Sequence, residues 1–207
     1  MAIRQQEPVR LNGSVSVEVP TRRAPTTAPA HGTVLTAYAA RFFAVFRVAV
    51  GFVFLWAFLD KTFGFGYATP SAKAWINGGS PTKGFLSHVA AGPLESMFHG
   101  WAGAPWADWL FMLGLLGIGV ALTLGVALRI AAASGTAMML FMWAAEWPLA
   151  KHTSDGALSA SSNPIVDYHI IYAFAVLAVA VLAAGNTWGL GKLWAKLPFV
   201  QRNRWLL

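Results

Sequence analysis

Residues 109–128 read WLFMLGLLGIGVALTLGVAL, 20 consecutive residues without an ionisable side chain. At a rise of about 1.5 Å per residue, such a run makes a helix about 30 Å long, the thickness of a bilayer's hydrocarbon core. It is apolar on every face, whereas a helix on the surface of a soluble domain confines its apolar residues to one stripe. Outward from this run, three more segments have the same character. Residues 42–59 are apolar except for Arg47. Residues 130–145 are uncharged but number only 16, so that helix either starts before Arg129 or borrows Trp147 and Leu149. Residues 170–191 are uncharged and end near Trp188, an aromatic suited to the membrane interface. Little more than Arg129 separates the second and third runs, which forces a tight antiparallel turn. The expected fold is an all-α, integral membrane four-helix bundle with both termini on one side and a long, partly helical outer loop between helices 1 and 2.

Composition agrees. Of 207 residues, 57% are hydrophobic and 11% charged, with mean hydropathy +0.54, too apolar for an ordinary soluble domain. The absence of cysteine excludes disulfide chemistry, Cys-ligated zinc and iron–sulfur clusters. No haem is expected either, so redox activity requires a quinone, another bound cofactor or a partner subunit. The net charge of +7 is explained by membrane orientation. Arg4, Arg10, Arg22, Arg23, Arg41, Arg129, Lys192, Lys196, Arg202 and Arg204 put ten basic residues on one side, against four at Lys61, Lys73, Lys83 and Lys151 on the other. The positive-inside rule then places both termini in the cytoplasm and removes any need for nucleic acid as a partner.

Residues 1–37 are rich in Pro, Thr, Arg and small residues and lack apolar periodicity, so they are expected to form a disordered cytoplasmic tail. They do not resemble a signal peptide, which would lead directly from a basic start into an apolar run. Residues 38–195 form the transmembrane domain and 196–207 a basic cytoplasmic tail. Within lipid, helices associate through close approach at small residues. Gly117, Ala121 and Gly125, then Ala131 and Gly135, then Ala180 and Ala184 supply that spacing for packing inside the bundle. No internal repeat is evident, which weighs against an inverted-repeat transporter.

The loop at 60–108 is long and rich in Trp and Phe. Residues 83–98 read as one short amphipathic helix interrupted at Pro93, acting as a cap on the outer membrane surface or as a lid over a cavity between the helices. Arg47 either faces the bundle interior or snorkels to the headgroups. Asp60 and Lys61 close the first helix as a solvated end, and Glu146 and Trp147, before Pro148, close the third. The fourth helix carries the sharpest local pattern. Asn163-Pro164 makes a turn, Asp167 caps the helix, and His169 and Tyr172 share a face at i and i+3. A His, a Tyr and a carboxylate at a membrane boundary can bind a quinone carbonyl and move its proton, because imidazole titrates near neutrality. Equally, the group reads as an N-cap with interfacial aromatics. His152, Asp155, Asp167 and His169 lack a helical HxxxH or HxxE frame, so no metal site is expected.

The strings GSPTKGFL (79–86), DWLFMLGLLGIGVALTLGVALRIAA (108–132), WAAEWP (143–148), NPIVDYHIIYA (163–173) and TWGLGKLW (187–194) together resemble the DoxX family of small multipass membrane proteins over residues 41–194. That resemblance implies a four-helix protein of the bacterial plasma membrane, related to the DoxD subunit of thiosulfate:quinone oxidoreductase and to DoxX proteins that join membrane redox complexes. It implies candidate positions at Asp167 and His169 (catalytic) and at Asp60 and Lys61. Arg47, Tyr172, Glu146 and Trp147 complete the set expected to contact a cofactor. The leading expectation is a membrane subunit that binds or reduces quinone, with electrons from a small sulfur donor or from other membrane redox or respiratory subunits. The alternatives are a non-catalytic assembly subunit and, behind it, a small-solute carrier.

Overall fold

The computed structural model describes residues 36–207. The tail expected over 1–37 lies outside the described residues except for Thr36 and Ala37. The described residues form eight α-helices and no strand. In order these are α1 (Ala37–Phe63), α2 (Lys83–Leu86), α3 (Glu95–Trp101), α4 (Pro105–Leu124), α5 (Leu128–Glu146), α6 (Tyr168–Val181), α7 (Gly191–Trp194) and α8 (Pro198–Arg202). Three of them, α1, α4 and α5, are long and apolar enough to cross a membrane.

Helix boundaries follow local chemistry. Thr36 caps α1 by accepting from the Ala39 amide at 3.2 Å, and Gly64 ends it in the left-handed region, with φ 69°. The first helix therefore extends beyond the expected 42–59 at both ends. Pro105 opens α4, where its missing N–H costs nothing. The expected tight turn after α4 uses Gly125 and Ala127, both at positive φ. Of the two ways to lengthen the third run, the chain starts before Arg129, at Leu128.

Two expectations need correction. The fourth helix has 14 residues rather than filling 170–191, because Ala183 turns into the left-handed region and a short 3-10 turn, Ala184–Asn186, follows. The turn at Gly185 is required by space: a Cβ there would collide with the Gly125 carbonyl. Residues 83–98 form two helices instead of one. The segment around Gly92, at φ 102°, separates α2 from α3, and α3 runs on to Trp101.

The helix α1 packs on α4, α5 packs on α6, and α4 joins the two pairs. Val50, Phe54, Met112, Leu115, Ile118, Leu122, Met139, Val176 and Val179 share one buried core. Outward-facing Phe52, Leu113, Phe141 and Phe174 are exposed, an arrangement that hydrocarbon solvates well and water does not. The close approach of α1 and α4 uses Gly51 and Gly119. A Cβ on Gly119 would stand 2.7 Å from the Leu55 backbone nitrogen, whereas Gly117, in the expected stripe, faces open space.

Candidate functional site

Two helix ends build the site. Trp147 takes φ 42° and terminates α5, leaving Glu146 as its last residue. The chain returns through residues 147–167. Asn163 Oδ1 then accepts from the amides of Ile165 and Val166, both at 3.0 Å, and the Trp143 indole donates to the Ile165 carbonyl at 3.0 Å. These bonds deliver Asp167 beside Glu146.

Asp167 uses both oxygens. Oδ1 accepts from the Ile170 amide at 3.1 Å, the cap expected from the sequence, and Oδ2 lies 2.9 Å from His169 Nδ1. An ionised carboxylate only accepts, so Nδ1 carries the hydrogen of this bond. Glu146 Oε2 is 3.9 Å from the same nitrogen, and the Tyr168 hydroxyl donates to Glu146 Oε1 at 2.6 Å. His169 is fully buried, Asp167 is 14% exposed and Glu146 36%. Its Nε2 has no partner among the described residues. Tyr168 stacks against the imidazole, with ring centroids 4.0 Å apart.

A cleft of about 510 Å³ opens beside this group, walled by Phe85, His88, Ala145, Glu146, Asn163, Asp167 and Tyr168. His169 stands behind Asp167 and does not line it. Gly84, Phe85, His88, Val89, Ala90 and Ala91, from the loop between α1 and α4, form one wall. The Ser154 amide donates to the Ala90 carbonyl at 2.7 Å and its hydroxyl to Glu95, tying the two loops together.

The other expected residues are placed elsewhere. Arg47 is completely buried and does not snorkel. Its guanidinium donates to the carbonyls of Leu122, of Thr123 at 2.7 Å and of Trp188 at 2.9 Å. It therefore satisfies the orphan Thr123 carbonyl and adds a second donor to Leu122 at the C-terminus of α4, where the helix dipole favours a cation, and sits at the end opposite Glu146. Asp60 is not a solvated end: it is 2% exposed, and its Oδ2 accepts from the Ala68 amide at 3.0 Å. Lys61 is half-buried beside it. Trp147 packs on Gly92, where a Cβ would stand 2.6 Å from the indole. Tyr172 packs against the core and makes no hydrogen bond among the described residues. His152 and Asp155 do not join Asp167 and His169; Glu146 does.

Two features went unread in the sequence. From the sequence alone, Tyr168 has no role of its own, although its hydroxyl binds Glu146. Asp108 is buried and its Oδ1 accepts from the Ser80 hydroxyl at 2.9 Å, the Thr82 amide at 2.9 Å and the Thr82 hydroxyl at 2.6 Å. The available signal was an acid in the first turn of α4 with Ser, Thr and Gly clustered upstream. Compared with known protein families, curated proteins and solved structures, the chain finds no match in any of the three.

Proposed function

We propose that this chain is a DoxX-type membrane subunit of a redox system and that the cleft beside Glu146, Asp167 and Tyr168 binds a quinone headgroup. In this reading it lies in a bacterial plasma membrane as a four-helix bundle with both termini in the cytoplasm. Helix α6 is the fourth crossing: 14 residues span about 21 Å, and the turn at Ala184–Asn186 continues it toward the far interface. The observation that carries the reading is the His169–Asp167 bond of 2.9 Å set against a cleft of about 510 Å³, a volume within the range of small-molecule sites.

The donor set suits a quinone. Tyr168 is half exposed on the cleft wall and can donate to a carbonyl oxygen by turning its hydroxyl from Glu146, and Phe85 offers an apolar wall. A quinone, when bound, supplies two-electron, two-proton chemistry, with electrons from a small sulfur donor or a partner redox subunit. Asp167 relays to a ligand oxygen in the cleft the proton that a protonated His169 holds on Nδ1, which leaves the imidazole neutral. His169, which acts through Asp167, is a positioning residue that also orients the carboxylate. Glu146 and Tyr168 restrict where the ligand oxygen can sit.

The test is quinone reduction with thiosulfate in membranes that lack any homologue. The expected result is a rate above empty membranes that falls about 100-fold or more in Asp167→Asn and is impaired in His169→Ala, as for loss of a general acid. A rate equal to empty membranes, unaffected by either substitution, removes the reading.

A further inference from the structure

Two carboxylates facing one buried imidazole require positive charge. Among the described residues, no Lys or Arg nitrogen comes within 4.0 Å of Glu146 or Asp167; their only ionisable partner of opposite sign is His169. The cluster is also accessible, since Glu146 and Asp167 line the cleft. We propose that Glu146, Asp167 and His169 bind one divalent transition-metal ion of the zinc class.

The geometry is close to what that requires. One donor atom from each of the three side chains falls within 4.8 Å of the others. Bonds of about 2.0–2.2 Å in tetrahedral geometry put zinc donors about 3.4 Å apart. The observed spacings straddle that value: His169 Nδ1 lies 2.9 Å from Asp167 and 3.9 Å from Glu146. Asp167 and His169 are fixed by the start of α6 and by burial, so the adjustment falls to Glu146, the most exposed of the three. An imidazole with two carboxylates is a mixed nitrogen and oxygen set of net charge −2, which a dication neutralises. Three protein ligands leave the fourth position to water or to an oxygen from the cleft, as in open zinc sites.

The ion takes the place of the proton on Nδ1, which leaves to solvent from a protonated imidazole or moves to Nε2 in a neutral one. It also blocks exchange of that proton with Asp167. This inference uses the residues of the redox reading but does not rest on quinone binding. It makes zinc an inhibitor of the relay proposed above.

The test uses the full chain in nanodiscs, titrated with zinc chloride by calorimetry, with metal content measured after dialysis. The expected result is one ion per chain, with affinity about 10–100-fold lower in His169→Ala and in Glu146→Gln, losses at least as large as those from removing an outer partner of a metal ligand. Glu146→Gln changes a half-exposed side chain and keeps its shape, so it reports on ligation even if His169→Ala fails to fold. Cobalt(II) in place of zinc should show a tetrahedral absorption band in the parent chain and lose it in Glu146→Gln. Zinc retention equal in parent and Glu146→Gln chains, or no retained zinc, overturns the proposal. Because quinone is absent from the titration, zinc binding without quinone reduction refutes only the redox reading, and the reverse outcome refutes only the metal site.

Discussion

Arg47 donates to the backbone carbonyl of Trp188 at 2.9 Å, joining α1 to the segment after α6 across 141 positions of sequence. The same guanidinium bonds Leu122 and Thr123, so one side chain locks three parts of the chain at one end of the helices. Replacing it with Met keeps much of the volume and leaves the Thr123 and Trp188 carbonyls without a donor, while the Leu122 carbonyl keeps only the Gly125 amide. Each hydrogen bond to a charged group contributes about 1.5–3 kcal/mol, so Arg47→Met should destabilise the fold by about 3 kcal/mol or more. Arg47→Lys should recover only part of this, because an ammonium cannot reproduce the planar fork. Unfolding in mixed micelles measures both. An unchanged midpoint for Arg47→Met would contradict this assignment.

The small residues of α4 are not equivalent. Gly119→Ala places a Cβ 2.7 Å from the Leu55 nitrogen, a backbone atom that cannot rotate away. It should cost about 1–3 kcal/mol as overpacking. Gly117→Ala meets nothing within 4 Å and should be neutral or stabilising by up to about 1 kcal/mol. The same unfolding measurement, run on the pair, separates this packing from the stripe expected at Gly117, Ala121 and Gly125.

Asp108 pins the loop before α2 through a single oxygen. Asn retains a carbonyl oxygen at that position, so Asp108→Asn should lose about 0.3–1 kcal/mol, the favourable interaction of a negative charge with the helix N-terminus. Asp108→Ala removes the acceptor for three donors and should expose residues 79–84 to proteolysis and hydrogen exchange, at a cost of about 2–4 kcal/mol. Equal protection in the Asn and Ala variants would contradict the pin.

A pH dependence follows from the turn at residues 153–157. The Thr153 hydroxyl, and after it the Ala157 amide, hold the Asp155 carboxyl below its usual value of 3.8. A carboxyl depressed in the folded state stabilises the turn above its unfolded pKa and loses that contribution as pH falls through the lower folded value. Exchange of the Thr153 amide, which donates to the Ala157 carbonyl at 2.9 Å, should therefore accelerate, relative to its intrinsic rate, as pH drops below about 4. In Thr153→Ala the folded value rises toward the unfolded one, so the acceleration should shrink. Acceleration with rising pH in that range would have the wrong sign.

Much of this was readable from residues alone, wherever cause and effect are close in sequence. The length and apolarity of α4, the tight turn between α4 and α5 and the Asp167 cap all depend on neighbours within a few positions, although Gly125, expected inside the helix, ends it. Distant pairings were not readable. Glu146 meets Tyr168 across 22 residues only because Trp147 turns left-handed and the Asn163 turn brings the chain back. Asp60 looks like a surface charge beside Lys61, but the loop folds over it and Ala68 bonds its carboxylate. The end of α6 at Val181, where Ala183 turns left-handed and Gly185 approaches Gly125, is something no periodicity reports. Arg47 stands out in an apolar run, yet its partners are backbone carbonyls, and those carry no residue-specific signal.

The central claim is that a quinone headgroup occupies the cleft between the end of α5 and the start of α6. Photolabelling of the nanodisc-embedded chain with an azidoquinone, followed by mass spectrometry, tests it most directly. The account predicts adducts concentrated at 145–148, 159–168 and 84–91, suppressed by unlabelled quinone and weakened in Asp167→Asn. Adducts confined to lipid-facing residues such as Phe52, Leu113 and Phe174, or insensitive to competition, would contradict it.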